Sequence, residues 1–181
     1  PVLVPLCGKS TDLLFLRGLG HPVVGVEFVH RAVEEFFAEN HIPFGRQPEG
    51  AATVFTASDS GPPLRLICAD MLDLDPVLVG PIGAFYDRAA LVALPPQTRP
   101  AYAAAIGAMI DQAGCGLLLS FEYPQTQRDG PPFSVEAPLV ERLFGTRFSL
   151  HCCERTVLPA EDVARFEVST CTEAVYLLRA H

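Results

Sequence analysis

The chain has no run of 18 apolar residues, so none of it reads as a transmembrane helix, and no secretory signal is visible. Cations are scarce. Thirteen Lys and Arg stand against 21 Asp and Glu, a formal charge of −8. That balance disfavours a nucleic-acid surface, which needs basic patches. The six cysteines, Cys7, Cys68, Cys115, Cys152, Cys153 and Cys171, form no CxxC pair, and the five histidines show no HxH or HExxH spacing. No metal site is therefore expected. The cysteines read as small hydrophobes in apolar strand-like stretches of a reducing cytosol. Neither GxGxxG nor GxxxxGK[ST] is present, which disfavours a diphosphate-bearing ligand.

What remains is a well-packed composition: 181 residues, 49% hydrophobic, enough for one domain with a substantial core. The opening run PVLVPLCGKSTDLLFLRGLGHPVVGVE is the most informative part. An apolar strand, Val2 to Leu6, ends in a turn at Cys7 to Ser10. A helical stretch follows, then a second strand, Pro22 to Phe28, with Glu27 near its end. A loop at the head of the first strand, with an acid about 20 residues on, is the layout that binds a nucleoside, the carboxylate taking both ribose hydroxyls.

Farther along, His30 to Asn40 predicts a helix with Val33, Phe36 and Phe37 on its apolar face. Residues 41–63 are rich in Gly and Pro and predict a long loop, a candidate active-site flap, with a short strand at Thr53 to Ala57. Arg65 to Ala69 predicts the third parallel strand, followed by Asp70. Ala84 to Tyr86 predicts a fourth, Thr98 to Gln112 a helix, and Gly116 to Glu122 a strand buried on both faces. A short helix at Val135 to Phe144 precedes two antiparallel strands, Phe148 to Cys152 and Ala174 to Arg179. The expectation is an α/β fold, an open and mostly parallel sheet with helices on both faces, whose ligand lies beyond the carboxyl ends of the first strands.

A ligand with a ribose and an adenine but no phosphate fits the loop: S-adenosylmethionine. Glu27 is placed for the ribose, Asp70 for the adenine, and the backbone of Leu6 to Gly8 for the methionine end. A nicotinamide-dependent oxidoreductase with Glu27 on the adenosine ribose is the competing class, and the missing glycines argue against it.

The strings VLVPLCGKS, GHPVVGVE, DRAALVALPPQTRPAYA and GPPFSV together resemble the thiopurine S-methyltransferase family in its bacterial form, over nearly the whole chain. The resemblance implies a Rossmann-like, seven-stranded, mostly parallel sheet with its last strand antiparallel. It implies transfer of a methyl group from S-adenosylmethionine, leaving S-adenosylhomocysteine, to the sulfur of aromatic or heterocyclic thiols. It carries the cofactor contacts onto Leu6, Glu27 and Arg88, with Gly8 in the same loop. Arg88 is also a candidate for holding the acceptor, and Phe133 for stacking on it. It further implies a cytoplasmic monomer. Bacterial members are associated with methylation of selenium or tellurium compounds, hence with tellurite or selenite resistance.

The family has a Trp-containing lid before its first strand. This chain has no Trp and opens on Pro1 inside a strand pattern. The expected organisation is thus a single methyltransferase domain, residues 1–181, lacking that segment. Alternatives are a methyltransferase for selenium or tellurium species, halide or thiocyanate, and a non-catalytic module that binds S-adenosylmethionine. No catalytic base is named, because a thiol of low pKa arrives largely as thiolate.

Overall fold

Branched apolar runs form the inner strands, where they pack well on a pleated surface. In the computed structural model, which describes residues 1–181, β1 (Val2–Val4) pairs in parallel with β2 (Val23–Glu27), Val4 lying opposite Gly25. On its far side β2 pairs in parallel with β5 (Leu64–Cys68), Glu27 lying opposite Cys68. β1 also pairs in parallel with β6 (Ile82–Asp87). Parallel neighbours on both sides make β1 and β2 interior strands, and their side chains are nearly all buried. Helices α1 (Asp12–Gly18) and α2 (His30–Glu39) supply Leu13, Val33, Phe36 and Phe37 to the core over β2 and β5.

The chain forms two compact units, Pro1–Tyr86 with Ala108–Asp111, and Asp87–Gly107 with Gln112–His181. The first has strand order β3-β4-β5-β2-β1-β6. Its β3 (Phe44–Glu49) and β4 (Ala52–Ala57) make an antiparallel hairpin, β4 being the short strand expected at Thr53 to Ala57 and β3 lying where a loop was expected, and β4 also runs antiparallel to β5. Phe44 and Phe55 of the hairpin pack on Phe37 of α2, with centroid separations of 4.7 Å for Phe37–Phe44 and 6.3 Å for Phe37–Phe55. β3 is fully exposed and contains Pro48, as an edge strand can. A short α3 (Pro76–Val79) precedes β6.

The second unit holds α4 (Ala90–Ala93), most of α5 (Arg99–Met109) and of β7 (Ile110–Glu122), then α6 (Ala137–Phe144), β8 (Phe148–Val157), α7 (Ala160–Phe166) and β9 (Thr172–Ala180). β9 pairs antiparallel with both β7 and β8. The architecture is the expected α/β one with an antiparallel last strand, but it has nine strands of mixed direction, not seven. The added hairpin strand β3 was hidden by Gly45 and Pro48. β7 starts six residues earlier than expected and alternates between buried and half-buried positions, Leu118 inside and Leu117 and Leu119 partly covered. Cys7 and Cys171 are buried as expected, but Cys152 and Cys153 are exposed on β8, where a bulge between Cys152 and Glu154 interrupts the ladder.

Two details of the first unit fix the strand ends. Arg17 of α1 is almost fully buried. It donates from Nε to the Pro62 carbonyl at 2.7 Å and grips the Asp59 carboxylate with both terminal nitrogens. These bonds hold the Asp59 carboxyl below its ordinary range and fasten the turn that leads into β5. Gly25 lies where β2 passes under the loop after β1. A Cβ there would stand 2.5 Å from Leu66 Cδ2 and 2.8 Å from Cys7 Sγ. Gly25→Val is therefore expected to lower unfolding free energy by about 1–3 kcal/mol through overpacking, read as a reduced urea midpoint. An unchanged midpoint would contradict this packing.

Candidate cofactor site

The loop after β1 is built around two left-handed residues, Leu6 with φ of 45° and Gly8 with φ of 51°. Gly8 adopts that conformation freely. Leu6 does not, and non-glycine residues in this region cost on the order of 1–3 kcal/mol and cluster at ligand clamps. The strain is held in place by Cys7, whose N–H donates to the Val26 carbonyl at 2.9 Å and whose side chain is buried against Gly25. Burial first, and the Glu27 charge second, push the Cys7 thiol far above its ordinary pKa. It stays a neutral thiol and is no nucleophile.

This turn aims the Gly8 N–H at β2. Gly8 N–H donates to Glu27 Oε2 at 2.9 Å, and Val29 N–H donates to Glu27 Oε1 at 2.8 Å. Both carboxylate oxygens are thus fixed by main-chain donors, and each keeps lone-pair capacity for one more donor. The Glu27 carbonyl accepts from Ala69 N–H at 3.1 Å, so the chain leaving β5 passes the same strand end and Asp70 follows at once. Asp70 is exposed. Its Oδ1 accepts from Leu72 N–H at 2.9 Å, the geometry of an Asx turn. With Ala69 and Arg65 it also lines a cavity of about 860 Å³. The first unit therefore brings Leu6, Gly8, Glu27 and Asp70 to one end of the parallel strands.

Lys9, in the same loop, is turned elsewhere. Its Nζ pairs with Glu35 at 3.0 Å and Glu39 at 2.7 Å on α2, and these bonds raise its pKa. Sequence reasoning missed Phe28, which follows Glu27 directly and is 72% exposed. An aromatic left open at the end of a core strand was the available signal.

Arg88 and Phe133 belong to the second unit. Arg88 is exposed and follows Asp87, a buried carboxylate that the sequence reading passed over. Asp87 Oδ1 accepts from Ala90 N–H at 2.8 Å, Leu91 N–H bonds the same carboxylate at 3.2 Å, and Tyr102 O–H donates to Oδ2 at 2.7 Å. One carboxylate thereby ties the end of β6 to the first amides of α4 and to α5. An acid just ahead of a short helix was its visible sign. Phe133 is half-buried, its N–H donating to Val92 O at 2.6 Å and its ring beneath the Arg99 guanidinium at 5.4 Å.

Burial raises the Asp87 pKa from 3.8 to about 6, outweighing the three donors, while burial and the Asp87 charge raise that of Tyr102. The folded value exceeds the unfolded one, so ionisation opposes folding. This cost is absent below about pH 4, grows as pH rises toward 6 and is constant above it. Relative to Asp87→Asn, the parent chain should gain roughly 2–3 kcal/mol between pH 7 and pH 4, measured by urea unfolding. A stability difference that does not vary with pH would contradict it.

A family model described as thiopurine S-methyltransferase matches residues 1–181. A thiopurine S-methyltransferase of Methylococcus capsulatus is 40% identical over 181 residues, 99% of this chain and 80% of that protein. The fold is similar to that of a SAM-dependent methyltransferase from Methanosarcina mazei, with a TM-score of 0.69 at 14% identity, covering 99% of this chain and 91% of that one. It is also similar to a 1,6-didemethyltoxoflavin-N1-methyltransferase of Burkholderia thailandensis solved with S-adenosylhomocysteine, with a TM-score of 0.63 at 16% identity over 99% of this chain and 70% of that one.

Proposed function

The chain belongs to the thiopurine S-methyltransferase family and is a S-adenosylmethionine-dependent methyltransferase; from that premise we propose that it methylates the sulfur of small aromatic or heterocyclic thiols, with Glu27 as the ribose anchor. The observation that carries the site reading is the pair of amides on Glu27, one to each oxygen. A carboxylate so oriented, with one acceptor position left on each oxygen, suits a vicinal diol. The fit extends to the neighbours. The strained Leu6–Cys7–Gly8 turn presents backbone groups, Phe28 offers open aromatic surface for a purine, and Asp70 offers a carboxylate for an exocyclic amine.

S-Adenosylmethionine, when bound, supplies an electrophilic sulfonium methyl group. The protein's part is alignment and exclusion of water. Glu27 and the Leu6–Gly8 turn hold the donor's position. Arg88 holds the anionic sulfur of the acceptor, and Phe133 presents a flat apolar surface to its ring. No residue is needed to remove a proton from an acceptor that is already a thiolate. Cys7, kept as a thiol, does not compete as a methyl acceptor.

The same reading has the chain acting as a cytoplasmic monomer on a small molecule. No helix is long and apolar enough to cross a membrane. All six cysteines are free, two of them exposed, as suits a reducing compartment.

The test is formation of S-adenosylhomocysteine with thiophenol as acceptor, beside phenol and selenite. Thiophenol is expected to be methylated, phenol not, and selenite more slowly. Arg88→Ala should lower kcat/KM for thiophenol by about tenfold or more. Preference for selenite, or unchanged kcat/KM in Arg88→Ala, would overturn the acceptor assignment.

A further inference from the structure

The second unit contains a cavity of about 690 Å³ lined by α5, α6 and the turn between α6 and β8. None of the residues assigned above to the cofactor or acceptor lines it. Its apolar wall includes Ala103, Leu139 and Phe148. Its charged lining is Arg99, Arg142 and Arg147, with no carboxylate among the lining residues. In a chain carrying −8 overall, three arginines line this one cavity and no carboxylate does.

The three arginines are placed by different means. Arg99 opens α5 and is 3% exposed. It donates from Nε to Leu94 O at 3.0 Å and stacks on Phe133, while its Nη2 has no hydrogen-bond partner. Burial pulls its pKa below the ordinary value, and only the Tyr123 phenol pushes the other way. A guanidinium buried without a counter-ion is costly. Arg147 donates to Gly107 O at 3.4 Å and to His181 O at 3.0 Å, and lies over the Phe148 ring at 5.4 Å. Gly107 inside α5 makes this possible, since a Cβ there would stand 3.3 Å from Arg147 Cγ. A helix-interior glycine is destabilising relative to alanine, and here it makes room for a cation at the cavity. Arg142 is exposed in the last turn of α6.

We propose that this cavity is a second ligand site, which takes a small organic carboxylate with a flat apolar body. Arginine forks match a carboxylate in geometry and charge, and the apolar wall accepts the ring. The pairing of a predominantly apolar wall with cationic lining residues favours such a ligand over an inorganic anion, which would leave the wall wet.

The probe is 2-naphthoate, with 2-naphthamide as its uncharged isostere, titrated against the whole chain while amide shifts are followed by NMR. Saturable shifts are expected at Ala103, Gly107 and Leu143. The amide isostere should bind about tenfold or more weakly. Arg142→Glu should weaken naphthoate binding by about tenfold and Arg142→Gln by a smaller factor. Affinity for S-adenosylhomocysteine, measured separately by calorimetry, should be unchanged in both variants, so that this proposal and the cofactor reading fail independently. Equal binding of acid and amide, shifts confined to other residues, indifference to both Arg142 substitutions, or no binding at all would overturn it.

Discussion

Two backbone amides, those of Gly8 and Val29, converge on the two oxygens of Glu27, and the geometry of the first unit follows from what that convergence requires. The Gly8 N–H points at β2 only because the chain reverses through left-handed Leu6 and Gly8. The reversal is held by Cys7, which bonds the backbone of β2 and packs where Gly25 leaves space. Val29 reaches the other oxygen because β2 ends at Glu27 and α2 begins at His30, leaving Phe28 and Val29 in the corner. The parallel pairing of β2 with β5 then delivers Asp70 beside the same strand end. A carboxylate on an unbraced side chain would sample several rotamers. This one is fixed before any ligand arrives, and the ordering cost is met in folding.

The second unit uses the same device on a different scale. Asp87 is fully buried and gathers two amides of α4 and the Tyr102 hydroxyl. It orders the backbone that carries Arg88, as Glu27 orders the loop after β1. The difference is burial. Glu27 keeps contact with solvent and room for further donors, whereas Asp87 is enclosed and its pKa is raised to about 6. An open braced carboxylate can serve a ligand. A closed one serves the fold.

Much of this was legible in the sequence because the signals were strong and local. Short runs rich in Val, Leu and Ile pointed to β1, β2 and β5, the 3.6-residue apolar spacing to α2, and a turn followed by an acid to the Gly8–Glu27 pair. What was not legible depended on tertiary partners. β3 is an exposed edge strand with Gly45 and Pro48, poor in every strand signal, and it is held by β4 and by Phe44 stacking on Phe37. The Ile110–Gly114 segment, with Asp111, Gln112 and Ala113, prolongs the helical pattern of α5, yet it belongs to β7. Cys152 and Cys153 look like core residues until β8 is placed as the outermost strand, exposed from His151 to Val157. Asp87 went unread because its partners Ala90, Leu91 and Tyr102 matter only once α4 and α5 fold back on it. Lys9 was ambiguous until α2 placed Glu35 and Glu39 against it.

The central claim is that Glu27, braced by the Gly8 and Val29 amides, is the anchor for the cofactor's ribose. The most direct test is calorimetric titration of S-adenosylhomocysteine into the parent chain and into Glu27→Gln, which keeps the side chain's size but replaces one acceptor oxygen with a donor. The account predicts saturable binding to the parent and a loss of affinity of at least about tenfold in the variant, with both chains folded by circular dichroism. Equal affinity in the two chains would contradict it.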